Sequence, residues 1–433
     1  MSSQAFDAGR GASRRQSHHP GQPVTTSERG SAIRSGPGAG VRADFPVHAT
    51  RFVAPNWPFQ PLPPPNGISP FRYDLSRLLV ADDIDKIRQA GVMVVHTVGD
   101  TGDYRGRQQD FVAGLMTADA EALPDGQKPA FFYHLGDVVY FAGDVNMYGD
   151  NFYETYKSYP AFIVSIPGNH DCQPDDSQDG PVDPNKVPLD GWVQNFMSKD
   201  PTRLGSLKTG AGRTQLDLPN PYWTFTTPFA TFIGLFSNVG EDEAEFHQDQ
   251  IDWFRGELAA ADKNLALVVA VHHPPFSGDT ERSGSSVAYN TLFDGFAATG
   301  RYPDLILSGH VHLYQRFTAT VDAGDGKREI PCIVAGNGGY TNLGHLRKIN
   351  GNYPTVPLEL GPSLRLDQYD TRNFGFLRLE ISKTKIVGTY LSAPYSPNGE
   401  TNAAVHDTFE VDLTAKTVGT PPAHHPPHGH RSN

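Results

Sequence analysis

The stretch VMVVHTVGDTG at residues 92–102 stays mostly apolar up to Val98, then breaks into a Gly-Asp pair and a second glycine. A short β-rich apolar run bounded by turn residues reads as a buried strand, so Val92–Val98 is expected to be a strand and 99–102 the loop beyond it. The pattern recurs in AFFYHLGDVVY at 130–140, FIVSIPGNHD at 162–171, LALVVAVHHP at 265–274 and LILSGHVH at 305–312. Further strand candidates are Ala230–Phe236, Ile333–Ala335, Phe376–Ile381 and Ile386–Tyr390. Helical patterns cover Leu75–Ala90, Gln108–Ala118 and Gln248–Ala261, and in the last Ile251, Phe254 and Leu258 share one face. Strands alternating with helices argue for an α/β fold. In such folds ligands gather in the loops beyond the carboxyl ends of strands, so the polar clusters should converge on one edge.

The composition narrows the rest. The chain has 433 residues, enough for one to three domains, and a net charge of −12, so the electrostatic footprint of a nucleic-acid binder is missing. An anionic substrate would need local positive charge. The longest apolar run, Leu265–Val271, falls far short of the roughly 20 residues that cross a bilayer. Arg14 and Arg15 are followed by no apolar leader, which favours a cytoplasmic location. Residues 1–42 lack large apolar side chains and are expected to be disordered. Residues 43–72, with Pro63, Pro64 and Pro65, read as a proline-rich strap, and 73–415 as the folded domain. The His/Pro-rich end, 416–433, holds His424, His425, His428 and His430 and reads as a flexible tail. Cys172 and Cys332 are too few for a disulfide framework.

Each cluster alone has an ordinary explanation, since Gly-Asp and Gly-Asn are common turn dipeptides and an isolated histidine is usually structural. Taken together, the carboxylates of Asp100 and Asp137, the amide of Asn169, the imidazoles of His272, His310 and His312 and the phenol of Tyr140 form a donor set for hard or borderline metals. A glycine directly precedes Asp100, Asp137, Asn169 and His310.

This set, in this order, resembles the calcineurin-like metallophosphoesterase superfamily, and more narrowly the purple acid phosphatases. The motifs are GDTG at 99–102, GDVVY at 136–140, GNHD at 168–171, VAVH at 269–272 and GHVH at 309–312, with GHVHLYQR at 309–316 and AGNGGY at 335–340 also similar. Most of the superfamily has D-x-H in the first motif; here Gly102 takes the histidine's place, and Tyr140 is the donor that purple phosphatases use instead.

The resemblance implies a four-layer sandwich of two β-sheets flanked by helices, in the single-domain form. It implies that Asp100, Asp137, Tyr140 and His312 hold ferric iron, and that Asp137, Asn169, His272 and His310 hold a second, divalent metal (iron, zinc or manganese), with Asp137 bridging. The implied reaction is hydrolysis of a small phosphorylated substrate by a metal-bound hydroxide, acid phosphatase type, without nucleic acid or membrane as partner. His170 would contact the phosphate and protonate the leaving oxygen, and His273 is a candidate substrate contact. Tyr314 and Arg316 read equally as residues of the site's mouth or as packing. A phosphodiesterase or nucleotide hydrolase on the same centre is an alternative, and a non-catalytic scaffold is a third reading that the complete ligand set argues against.

Overall fold

The computed structural model describes residues 62–102, 107–173, 187–201, 203–205, 212–238, 243–397 and 402–421. The expected tail 1–42, most of the strap and the histidines at 424–430 lie outside the described residues. Two sheets carry the fold. In the first the spatial order is Thr417–Gly419, Ala404–Asp412, Lys385–Ala393, Phe374–Ile381, Met93–Val98, Pro129–His134, Phe162–Ser165. Its last three strands are parallel and the others antiparallel.

The second sheet runs Arg72–Asp74, Trp223–Thr226, Ala230–Leu235, Ala266–Val271, Leu305–Ser308, Lys327–Ala335, Tyr314–Asp322, Leu364–Asp370, Leu358–Gly361. The four strands from Ala230–Leu235 to Lys327–Ala335 are mutually parallel. Strands covered on both faces read as continuous apolar runs, and Met93–Val98, Pro129–His134, Ala230–Leu235 and Ala266–Val271 are buried at every position.

Aromatic rings join the sheets. Tyr133 of the first stacks between Trp223 and Phe232 of the second, with centroids 5.9 and 5.4 Å away, and Phe131 meets Phe225 edge-on at 4.9 Å. Helices cover the outsides. Ala81–Ala90 buries Ile84 and Ile87, and Gln108–Ala122 buries Phe111, Val112, Leu115 and Met116, in the core shared with the first sheet. Gln248–Ala260 and Ser286–Thr299 pack Phe254, Leu258, Leu292 and Phe296 against Ile233, Leu235, Leu267 and Val269 of the second. The result is helix, sheet, sheet, helix, as expected. No helix among the described residues is long and apolar enough to cross a membrane, and Cys172 and Cys332 are both buried and unbridged.

Three local expectations change. The helix expected over Leu75–Ala90 is a 3-10 turn, Leu75–Arg77, started by the Asp74 carboxylate accepting from Ser76 N–H, and then, after an extended Val80, the helix Ala81–Ala90. Helix Ser286–Thr299 escaped the sequence reading because Gly295 interrupts its pattern; a Cβ there would lie 2.8 Å from the Phe254 ring, so the glycine lets two helices approach. The first sheet also continues to Gly419, beyond the boundary set at residue 415.

Tyr314 and Arg316 pack. The Tyr314 ring is fully buried and stacks on Tyr390 of the other sheet at 3.8 Å and 4°, and its hydroxyl donates to Asp407 Oδ2 at 2.8 Å. The Arg316 guanidinium donates to both oxygens of Asp407, at 2.7 and 3.0 Å, and lies 3.2 Å from Asp367. Removing one partner of a buried ion pair leaves an uncompensated charge and costs about 3–5 kcal/mol. Arg316→Ala is therefore expected to lower the unfolding free energy from urea titration by an amount in that range, with a lower midpoint, whereas a residue that merely lined a mouth would leave the midpoint in place.

Candidate metal centre

Every chemistry-bearing cluster lies just past the carboxyl end of a parallel strand. Asp100, Asp137 and Asn169 follow Met93–Val98, Pro129–His134 and Phe162–Ser165 of the first sheet; His272, His310 and His312 follow Ala266–Val271 and Leu305–Ser308 of the second. The chain turns sharply to present them. Asp100, Asp137 and His310 have φ of 58, 54 and 67°, in the left-handed region that non-glycine residues rarely occupy. Such strain costs on the order of 1–3 kcal/mol per residue and persists where the surroundings over-determine it.

The surroundings are backbone donors from other loops. Asp100 Oδ2 accepts the His310 N–H at 2.8 Å, and Asp137 Oδ1 accepts the His170 N–H at 2.9 Å. The remaining carboxylate oxygens face a common centre. Tyr140 Oη donates to Asp137 Oδ2 at 2.7 Å and lies 3.2 Å from both Asp100 Oδ1 and His312 Nε2. On the other side, Asn169 Oδ1 is 3.0 Å from His272 Nε2 and 3.0 Å from His310 Nδ1, and His272 Nε2 is 3.3 Å from Asp137 Oδ2. The predicted residues thus fall into two groups that share one atom, Asp137 Oδ2.

Two glycines show how tight the approach is. A Cβ on Gly168 would lie 2.1 Å from Asp137 Oδ1. At Gly102 it would lie 2.5 Å from Val139 Cα and 2.8 Å from Tyr140 N, so the backbone that brings in Tyr140 occupies the space a side chain at 102 would need.

Neighbouring groups fix the tautomers. His272 Nδ1–H donates to the Leu135 carbonyl at 2.8 Å and His312 Nδ1–H to the Asn342 carbonyl at 3.0 Å, which leaves both Nε2 atoms to the centre. His134, which the sequence reading passed over, takes the Gly136 N–H on Nδ1 at 3.2 Å and meets Thr101 Oγ1 through Nε2 at 2.9 Å, tying the first two loops together. Burial holds it down at about 3, so it stays neutral. Asp171 ties the second and third, accepting from Val138 N–H at 3.0 Å and Gly168 N–H at 2.8 Å.

Tyr340 is a second residue the sequence reading did not assign. Its ring stacks on Tyr140 at 4.1 Å while His170 covers that phenol at 4.4 Å; the only signal was its place at the end of AGNGGY. His170 is held by its Nδ1–H on the Phe141 carbonyl at 2.9 Å. His273 is fully buried, 2.7 Å from Ser237 Oγ through Nδ1, with its ring 4.2 Å from that of His310.

The electrostatics ask for a cation. Burial works against charge on Asp137, yet His272 and His170 hold it well below the usual carboxylate range. Burial likewise opposes charge on His272, but Asp137 and then Asp100 raise it to about 9, so a proton sits on the imidazole among the acceptors Asp137 Oδ2 and Asn169 Oδ1. Burial, Asp137 and Asp100 push the Tyr140 phenol well above its ordinary value. Donor atoms of Asp100, Asp137 and His272 lie within 4.8 Å of one another. A metal ion would replace the His272 proton and answer the crowded anionic oxygens, so the residues present fit the expected group.

Residues 93–314, just over half of the chain, match the calcineurin-like phosphoesterase family. Purple acid phosphatase 21 of Arabidopsis thaliana is 29% identical over 101 residues, so the aligned part spans only 22% of either chain. Among solved structures, GAP50, the anchor in the inner membrane complex of Plasmodium, is 14% identical with a TM-score of 0.49, covering 74% of this chain and 89% of that one. PhoD is 14% identical (TM-score 0.47, 78% and 73% covered), and a dimetal phosphatase from Danio rerio 10% (TM-score 0.42, 70% and 99% covered).

Because both groups of donors include Asp137 Oδ2, Asp137→Asn is expected to lower metal content at both sites, whereas Asn169→Ala should empty only one. Elemental analysis of the dialysed proteins decides it; an Asp137→Asn variant with full metal content would show that the shared oxygen bridges nothing.

Proposed function

The chain belongs to the calcineurin-like phosphoesterase family, and on that premise we propose that it is a dinuclear phosphomonoesterase of the purple acid phosphatase type. The observation that carries the finer assignment is Tyr140 Oη, within 3.2 Å of Asp100, Asp137 and His312 at once. A phenolate is a hard anionic donor suited to ferric iron, so Asp100, Asp137, Tyr140 and His312 would hold Fe(III). Asp137, Asn169, His272 and His310 would hold iron, zinc or manganese in the divalent state. When bound, the two ions supply Lewis acidity toward phosphoryl oxygens and acidify water.

This chain's own residues do the remainder. Backbone N–H groups of His310 and His170 keep the carboxylates aimed, and the Leu135 and Asn342 carbonyls keep two imidazoles in the ligating tautomer. His170 is the proposed proton donor: with Nδ1–H spent on Phe141, the proton a charged ring can give up is the one on Nε2. His273 braces the His310 ring, which makes its proposed part that of a positioning residue.

The iron assignment is checked by elemental analysis and a visible spectrum. Two metals per chain and a purple or pink band are expected, and Tyr140→Phe should bleach the band while the protein stays folded. A colourless, fully active zinc or manganese enzyme would refute it.

His170→Ala should retain both metals and lose turnover by about 10²–10⁴ for an alkyl phosphate, the usual worth of a positioned proton donor. The loss should be much smaller for nitrophenyl phosphate, whose leaving group needs little protonation. Equal losses on the two esters would rule out proton donation.

A further inference from the structure

The motif AGNGGY at 335–340 supplies none of the donors, yet the loop it forms is packed against the first donor group. It leaves the strand Lys327–Ala335 alongside the Asp100 turn: Gly99 N–H donates to the Ala335 carbonyl at 2.9 Å, Gly338 N–H to the Gly99 carbonyl at 3.2 Å, and Tyr340 N–H to the Asp100 carbonyl at 3.0 Å. Asn337 fastens the other side, its Nδ2–H donating to the Asn373 carbonyl at 2.9 Å and its own carbonyl accepting the Gly375 N–H at 3.2 Å. The fit is close. A Cβ on Gly336 would lie 2.3 Å from the Val311 carbonyl oxygen and 2.8 Å from Asp100 Oδ2, and one on Gly339, where φ is 143°, would lie 2.5 Å from Gln109 Cα.

What this loop delivers is a ring. Tyr340, 8% exposed, stacks on Tyr140 with centroids 4.1 Å apart and planes at 26°, and its ring lies 4.8 Å from that of His312. The chain just beyond it grips His312 as well, through the Asn342 carbonyl on Nδ1 and through Gly344 N–H on the His312 carbonyl at 2.8 Å. One residue thus touches donors carried by three separate loops, those of Asp100, Tyr140 and His312. The first torsion of a tyrosine side chain places its oxygen and the second turns the oxygen's in-plane lone pairs, and a ring stacked on its face resists movement in both.

We propose that Tyr340 is a positioning residue for the first half-site, holding Tyr140 and His312 in their ligating orientations through its ring, an inference that rests on the dinuclear reading above. The contacts that place it there use the ring face and the backbone N–H, and phenylalanine at this position would keep both. Leucine would keep only the N–H.

The test uses full-length metal-loaded protein with Tyr340→Leu and Tyr340→Phe, followed by elemental analysis during release of metal into excess chelator and by visible spectroscopy. In Tyr340→Leu one of the two metals should leave about 3–10-fold faster, the scale of one aromatic stacking contact, while the other leaves at the wild-type rate. The tyrosine–iron band should shift and broaden. Tyr340→Phe should match the wild type in both readouts. The Asn169→Ala protein, expected to hold metal only in the first half-site, identifies which phase of release is which. Tyr340→Met, closer to tyrosine in volume but without a ring plane, repeats the measurement if the leucine variant melts below the wild type in its metal-free form. Unchanged release from the ringless variants, equal acceleration of both metals, or the same acceleration in Tyr340→Phe would overturn the proposal. A wild type that holds two metals without colour would refute the ferric assignment alone, since the release rates still decide for or against Tyr340. One that takes up no metal would overturn both.

Discussion

One buried carboxylate oxygen, Asp137 Oδ2, governs the arrangement of the site. It lies 2.7 Å from the Tyr140 hydroxyl and 3.3 Å from His272 Nε2, in a residue only 1% exposed. A charge taken out of water costs several kcal/mol unless it is paired and hydrogen-bonded. The compensation comes from several loops at once: His170 N–H on the other oxygen, a cationic His272, and the phenol. Asp100 enters the same space with the same need. Left-handed turns at Asp100, Asp137 and His310, and a glycine where Asp137 Oδ1 leaves no room for a Cβ, are what that convergence requires of the backbone.

The same requirement explains why the sheet packing and the site are one structure. Asp100, Asp137 and Asn169 hang from the first sheet, and His272, His310 and His312 from the second. Neither sheet holds a complete donor group by itself. The relative position of the two halves is set by the ring layer of Tyr133, Trp223, Phe131, Phe225 and Phe232, away from the ligand loops. A slip of the sheets by one residue would separate His272 from Asp137 while leaving every strand intact. Packing in this core therefore acts on the chemistry as directly as the ligands do, which fits an interior filled with stacked aromatics that allow few alternative registers.

What was legible in the sequence was whatever local chemistry signals by itself. Parallel core strands announce themselves because burial on both faces demands continuous apolar runs, and Met93–Val98 and Ala266–Val271 are buried at every residue. The donor set was legible because Gly-Asp, Gly-Asn and Gly-His pairs at strand ends are short-range features. Strands such as Tyr314–Asp322 and Ala404–Asp412 were not, since their alternation, Phe317-Thr318-Ala319-Thr320-Val321 and Phe409-Glu410-Val411, covers only part of each strand and the rest is polar or exposed. Tyr340 and His134 were missed for a related reason: their importance comes from partners far away in the chain, Tyr140 and Thr101. The Tyr314–Tyr390 stack likewise joins two sheets across a long sequence separation, and it settles a choice between mouth and core that residue type left open.

The distribution of charge between the two halves bears on which metals they would hold. The first group, Asp100, Asp137, Tyr140 and His312, carries two carboxylates and a phenol; the second has the shared Asp137 and otherwise Asn169, His272 and His310, whose amide oxygen and imidazole nitrogens bind a metal as neutral donors once the His272 proton is displaced. Burial and the two carboxylates already push the phenol far above its ordinary value, so deprotonating it takes a strongly polarising ion in direct contact. A trivalent ion matches three anionic donors, and a divalent ion matches a group of mostly neutral ones. The asymmetry is built into the backbone: Gly102 has no room for a side chain because the chain carrying Tyr140 fills that space. Exchanging a histidine for a tyrosine at this centre is therefore a coupled change, in which the absence of one side chain and the presence of the other are a single packing solution that fixes the charge of the first half-site.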